Sequence, residues 1–312
     1  MPNLEMFMLA IGQAALLLLL APLMTGISRM MRARMHSRRG PGVLQDYRDI
    51  VKLFKRQDVA PSSAGFVFRA APYVILGTML VLAMALPALT RHSPVAALAD
   101  LITVMYLFAM VRFFFSLSGI DSGSSFAGIG AGRELTLGIL VEPTMILSLL
   151  VVSLIEGTTN LGSIGASIGD NYLKAPAAIG LAMLAFGFVV FIEMGKLPFD
   201  MAEAEQELQE GPLTEYSGVS LAMLKLGLGL KKVVIAQFFL GVFLPFGLAA
   251  IPAAGSLVVA LVALVLKLVA VFVLAALVEN SMARGRFLLV SRVTWIGFGL
   301  AALSFIFYLT GL

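Results

Sequence analysis

Residues 254–278 read AGSLVVALVALVLKLVAVFVLAALV, twenty-five positions with one charge, Lys267, near the middle. A helix of this length rises about 37 Å at 1.5 Å per residue, more than the ~30 Å hydrocarbon core of a bilayer. Nothing in a soluble fold needs such a run. The same window finds seven further candidates outward along the chain, at roughly 4–28, 70–90, 100–119, 134–155, 175–195, 217–246 and 287–311. The fold class that follows is all-α: a single polytopic membrane domain over 1–312, with eight transmembrane helices and an amphipathic surface helix.

Composition points the same way. Only 13% of the 312 residues are charged and 60% are hydrophobic, against about 25% charged in an ordinary soluble domain. The surplus of 22 Lys+Arg over 18 Asp+Glu implies no nucleic-acid partner, because the basic residues gather in particular loops. There is no cysteine, which excludes a disulfide, a resident iron-sulfur cluster, a CxxC nickel site and covalent haem. His36 and His92 are expected on opposite sides of the bilayer, which excludes a haem held between them.

The first span carries Glu5, no early Lys or Arg and no small-residue cleavage site after Leu16–Leu20, so it is expected to stay as a helix. The loop that follows, 29–69, holds Arg29, Arg32, Arg34, Arg38, Arg39, Arg48, Lys52, Lys55, Arg56 and Arg69, and the one after span 7 adds Arg284, Arg286 and Arg292. The opposite loops offer Arg91 and Lys174. The positive-inside rule therefore puts the odd-numbered loops in the cytoplasm and both termini outside.

Within the 29–69 loop, Arg38-Arg39-Gly40-Pro41-Gly42 signals a turn. Val43, Tyr47, Ile50, Val51 and Phe54 then recur at helical spacing over 43–55. Such a helix lies on anionic lipid or docks a peripheral partner, and both readings stay open.

A charge at a helix centre costs roughly 2.5–3.5 kcal/mol on insertion scales, so each ionisable residue in a span asks for a compensating partner. Glu142 lies nine residues past Arg133, about 13 Å along span 4 by helical rise, and Pro143 after it frees a backbone carbonyl one turn back. It reads as a proton relay or as half of an ion pair with a lysine on a neighbouring helix. Lys225 and Lys232 share one face of span 6 beside Gly227 and Gly229, where close packing would bury the amines. Lys267 stands in mid-span 7. Arg112, near the cytoplasmic end of span 3, is expected to snorkel and to be structural.

The densest cluster runs from Glu193 to Tyr216, with seven carboxylates from Glu193 to Glu215. A helix started at Pro198 would place Asp200, Glu203, Glu207 and Glu210 on one stripe. The 196–216 segment is then an acidic cytoplasmic loop whose carboxylates raise one another's pKa and share protons, as suits the mouth of a proton pathway.

Four segments carry a resemblance over essentially the whole chain: EMGKLPFDMAEAEQELQEG at 193–211, RRGPGVLQDYRDIVKLFKRQ at 38–57, GAGRELTLGILVEP at 130–143 and ENSMARGRF at 279–287. They resemble the membrane subunit shared by respiratory complex I and the group 4 nickel-iron hydrogenases, closest to the formate hydrogenlyase and hydrogenase-4 branch. The resemblance implies a non-catalytic subunit of the bacterial cytoplasmic membrane. It would anchor hydrogenase large and small subunits and an iron-sulfur subunit, next to antiporter-like membrane subunits. The nickel-iron centre and the clusters would belong to those partners, with no cofactor in this chain.

By motif, Arg133 and Glu142 match an Arg and a Glu nine apart in the fourth span, Glu193 the Glu ahead of the Pro-Phe-Asp loop, and Glu203, Glu205 and Glu207 that loop's acids. Arg38 and Arg39 match the basic pair before the Gly-Pro turn, and Arg284 and Arg286 the pair before the last span. The resulting proton-pathway candidates are Glu142, Glu193, Asp200, Glu203, Glu205, Glu207, Glu210, Lys225, Lys232 and Lys267. The docking candidates are Arg38, Arg39, Arg133, Arg284 and Arg286. Lys196 stands where the complex I pattern has Arg, and no Glu occurs around Leu228, which weighs against the alternative, a quinone-site subunit of a complex I-like dehydrogenase. A pure membrane anchor is the third reading.

Overall fold

The computed structural model describes residues 4–170, 174–282 and 287–311. Its helices are α1 (Leu4–Met35), α2 (Gln45–Phe54), α3 (Phe66–Ala85), α4 (Leu101–Asp121), α5 (Ser125–Glu156), α6 (Leu161–Asp170), α7 (Pro176–Glu193), α8 (Glu205–Leu208), α9 (Gly218–Phe243), α10 (Ala254–Ser281) and α11 (Phe287–Thr310). Among the described residues, α1, α3, α4, α5, α7, α9, α10 and residues 292–310 of α11 are long and apolar enough to cross a membrane. No strand forms among them. The protein is a polytopic all-α membrane protein.

In lipid the apolar side chains gain little from leaving their surroundings, so helices associate where small residues let backbones approach. Gly227 does this on α9: a Cβ there would lie 3.0 Å from Ile75 Cγ2 and 3.4 Å from the Leu76 backbone of α3. Gly165 does it on α6, where a Cβ would meet the Gly241 carbonyl at 2.2 Å. The helix α9 is accordingly the centre of the bundle, packed on α1, α2, α3, α6 and α7. Phe186 of α7 packs among Phe238, Phe239 and Phe243 of α9, edge-on to the first and stacked on the second.

Two helices run well past the expected spans. The helix α1 carries Arg29 and Arg32 beyond its apolar run, and α5 starts at Ser125, so that Arg133 and Glu134 are helical. Their charges are met by other segments, which removes the reason to end the helix there.

The amphipathic helix forms as α2, two residues later than the periodicity suggested, and packs on α9 and α1. Asp46 accepts from Thr25 Oγ1 at 2.6 Å and pairs with Arg29. Val51 and Phe54 stay exposed, an apolar edge suited to the bilayer surface.

The acidic stripe does not form. Pro198 opens no long helix; the segment between α7 and α9 is irregular apart from α8 and a 3₁₀ turn at Gly211–Leu213. Phe199, Met201, Ala202, Ala204, Leu208 and Leu213 are all buried, and one straight helix cannot turn all of them inward while repelling its own aligned carboxylates. The chain instead folds back on α5. Gly211, at φ +54°, sits so close that a Cβ would lie 1.9 Å from the Ala202 carbonyl oxygen, a conformation that glycine permits.

Candidate functional site

The site is built on a spacing within α5. Glu134, Gly138 and Glu142 follow one another at four-residue steps, one turn apart on one side of the helix. The missing side chain at Gly138 makes a slot, and Arg112 of α4 lies in it: a Cβ at Gly138 would be 2.5 Å from Arg112 Cδ and 2.7 Å from Nη1. The guanidinium reaches a carboxylate on either side. Nη1 is 2.5 Å from Glu142 Oε1, and Nε is 3.7 Å from Glu134 Oε1, too far for a hydrogen bond.

The third arm of the fork, Nη2, donates to Glu193 Oε1 at the end of α7. The other oxygen of Glu193 takes Lys231 Nζ of α9 at 2.9 Å, and the same ammonium stands 3.7 Å from Glu134 Oε1. Four helices thus contribute five ionisable groups to one cluster, three carboxylates against two cations. Arg112, Glu193 and Lys231 are buried, whereas the Glu142 side chain remains 35% exposed. The formal charge is −1, so one proton or one further cation would neutralise it.

A small cavity of about 50 Å³ borders the cluster at Arg112, Glu134, Glu193 and Lys231. Gly195, Asp200, Glu203, Leu228 and Lys232 line both it and a larger cavity of about 980 Å³, bounded by α1, α2, α9, α10 and the loop after α7. Six Lys and Arg side chains and six carboxylates line the larger cavity. Such walls favour water. Carboxylates spaced along a polar cavity and ending in a net-negative cluster can pass protons by short transfers between oxygens and any water between them.

The sequence-derived candidates divide in the structure. Glu142 and Glu193 belong to the cluster, and Asp200, Glu203, Glu210, Lys225 and Lys232 line the larger cavity. Lys225 is exposed and Lys232 half-buried. The expectation that close packing at the glycines buries these amines is corrected: Gly227 packs on α3, and the buried lysine is Lys231.

Glu207 pairs with Arg133 at 2.7 Å, away from the cluster. Lys267 donates to the carbonyl of Leu244 at 2.6 Å and to that of Phe246, just past the end of α9. A lysine there satisfies helix-terminal acceptors. Arg38 and Arg39 are exposed, and Arg38 lines the larger cavity. The Glu205 side chain, Arg284 and Arg286 lie outside the described residues.

Arg112 corrects the snorkelling expectation, because three carboxylates from two neighbouring helices hold it inside. Glu134 and Lys231 are not among the sequence-derived candidates, although Lys231 stands with Lys225 and Lys232 where the resemblance expects a Glu in span 6. The Glu-x₃-Gly-x₃-Glu spacing is the signal that finds Glu134, since a glycine midway between two acids within a span marks a place for a third group. Just before α9, Tyr216 stacks on Phe68 with ring centroids 3.9 Å apart and donates to the Phe68 carbonyl. Burial pushes its phenol above the ordinary tyrosine range.

A family model described as NADH dehydrogenase matches residues 7–310. The chain belongs to this family. Within it, the chain is 61% identical over 303 residues to hydrogenase-4 component C of Escherichia coli (strain K12), covering 97% of this chain and 96% of that one. It is 53% identical over 294 residues to formate hydrogenlyase subunit 4 of the same organism, covering 94% and 96%. A more distant member, NADH-quinone oxidoreductase subunit 8 of Rhodothermus marinus, is 32% identical over 228 residues, 67% of this chain and 64% of that relative. Among solved structures, a chain of the membrane-bound sulfane sulfur reductase, an archaeal respiratory membrane complex, superposes with a TM-score of 0.87. It is 24% identical and covers 98% of this chain and 100% of that one, a likeness of fold.

Proposed function

We propose that the protein is the membrane-embedded subunit of a multisubunit nickel-iron hydrogenase complex of the formate hydrogenlyase type. It anchors the peripheral hydrogenase arm and links the arm's redox chemistry to movement of protons or Na⁺. Near full-length similarity to hydrogenase-4 component C and formate hydrogenlyase subunit 4 supports the assignment to such a complex. The observation that carries the ion-linked role is the buried cluster of three carboxylates and two cations, contiguous through Glu203 and Lys232 with a polar cavity. The chain has no cysteine and two histidines, so the nickel-iron centre and iron-sulfur clusters are assigned to the large, small and iron-sulfur partner subunits.

Docking is assigned to α2, the 196–216 loop and the arginines at 38 and 39, with antiporter-like subunits beside the chain in the bacterial cytoplasmic membrane. The protein tagged in its native host and extracted in mild detergent is expected to bring down chains containing nickel and iron in stoichiometric amounts. Arg38→Glu with Arg39→Glu should release that arm while the membrane partners stay bound. Recovery with no nickel-containing partner would defeat the assignment.

The size of the 980 Å³ cavity favours the second reading, a quinone site. Its twelve charged side chains weigh against it, since an isoprenoid tail and a neutral ring gain little from such walls. Inhibition of turnover by quinone analogues would restore that reading.

The concentration of arginine and lysine in the odd-numbered loops supports a cytoplasmic 29–69 loop with both termini outside. With no native cysteine to interfere, Ala60→Cys should react with a membrane-impermeant maleimide in inside-out vesicles and stay unlabelled in intact spheroplasts. The opposite pattern refutes this orientation.

A further inference from the structure

The cytoplasmic end of α1 presents Thr25, Ser28, Arg29 and Arg32 at i, i+3, i+4 and i+7, along one face. This face holds three other segments. Thr25 and Arg29 take Asp46 of α2. Ser28 Oγ accepts from Lys196 Nζ of the loop after α7 at 2.6 Å. Arg32 Nη1 donates to Glu279 Oε1 of α10 at 3.0 Å.

Glu279 closes the arrangement. It is 4% exposed, and its second oxygen stands 3.2 Å from Lys196 Nζ. Lys196 thus joins Ser28 by a hydrogen bond and Glu279 by an ion pair. One carboxylate therefore bridges a cation on α1 and a cation on the loop. Arg32, Lys196 and Lys232 all line the larger cavity, and Glu279 is the carboxylate that pairs with the first two. Burial lowers the Lys196 pKa below that of an ordinary lysine; Lys232 and Arg32 push the same way and Glu279 opposes them.

We propose that Glu279 is a positioning residue that locks the loop between α7 and α9 onto the polar face of α1, so that the loop and the surface helix α2 are carried as one unit. A displacement of α2 then reaches Asp200 and Glu203, the loop carboxylates at the junction of the two cavities, through α1. This tether holds whichever redox partner docks, because its contacts all lie within the chain.

The test is amide hydrogen exchange on the purified complex. In Glu279→Gln, amides of residues 195–216 should exchange roughly tenfold faster than in the wild type, as loss of a charged contact predicts for a locally opening segment, with α4 and α5 unchanged. Lys196→Met, which removes the Ser28 hydrogen bond as well, should accelerate these amides at least as much, and the double variant should be no faster than Lys196→Met alone, since the loop's side of the Glu279 contact is then already gone. If Glu279→Gln does not accumulate, Lys196→Met alone reads the contact from the loop side. Unchanged exchange over 195–216, an equal acceleration in every helix, or additive effects in the double variant would each overturn the proposal.

Discussion

Replacement of Arg112 by methionine is expected to deplete folded protein from the membrane more than any other single substitution in the bundle. The guanidinium compensates Glu142 and Glu193 directly and Glu134 at longer range. Its loss leaves three carboxylates with Lys231 as their one cation and takes the formal charge of the cluster from −1 to −2. Removing one partner from a buried ion pair costs about 3–5 kcal/mol, because the other charge stays desolvated. That is a large part of the 5–15 kcal/mol by which a typical protein is stable.

Arg112→Lys should recover only part of the loss. An ammonium is one point charge and cannot reach Glu142 and Glu193 in two directions as the planar fork does. Neutralising the partners should do better: Arg112→Met combined with Glu142→Gln and Glu193→Gln removes the uncompensated charge along with its cause. The check is the yield of monodisperse protein on gel filtration together with its thermal midpoint. Wild-type yield and midpoint in Arg112→Met would mean that the cluster contributes nothing to folding.

Arg112 also marks the limit of what one sequence discloses. Each span is legible because a run of about 20 apolar residues is a property of the segment itself, and α2 is legible because its periodicity is local. The compensation of a buried charge is not local. Along α4 alone the nearest relief for Arg112 is the helix end, while its partners sit on α5 and α7. The same holds for Glu279, at the end of the most apolar span, whose partners lie 83 and 247 residues away in the chain. The 198–210 stripe failed for a related reason: the charged positions fit a helix, but the buried set from Phe199 to Leu213 fits only a chain that turns back on α5.

The other large effect concerns Glu142, the most exposed carboxylate of the cluster at 35%. Glu193 contacts both cations closely, whereas Glu142 meets only Arg112 and is the acid that can trade its ion pair for a proton with least disturbance. Under the proposed function, a change of charge at the docked arm would reach this point by way of Lys232 and Glu203, which line both cavities. Glu142→Gln keeps the size and one accepting oxygen, removes the titration and brings the cluster to neutrality, so folding should be preserved. Hydrogen evolution from an artificial electron donor is then expected to continue near the wild-type rate, while the ion gradient built by reconstituted vesicles falls by at least tenfold, in the range for losing a positioned proton-transfer group. A gradient equal to wild type at equal turnover would leave Glu142 as a structural partner of Arg112 and the chain as an anchor.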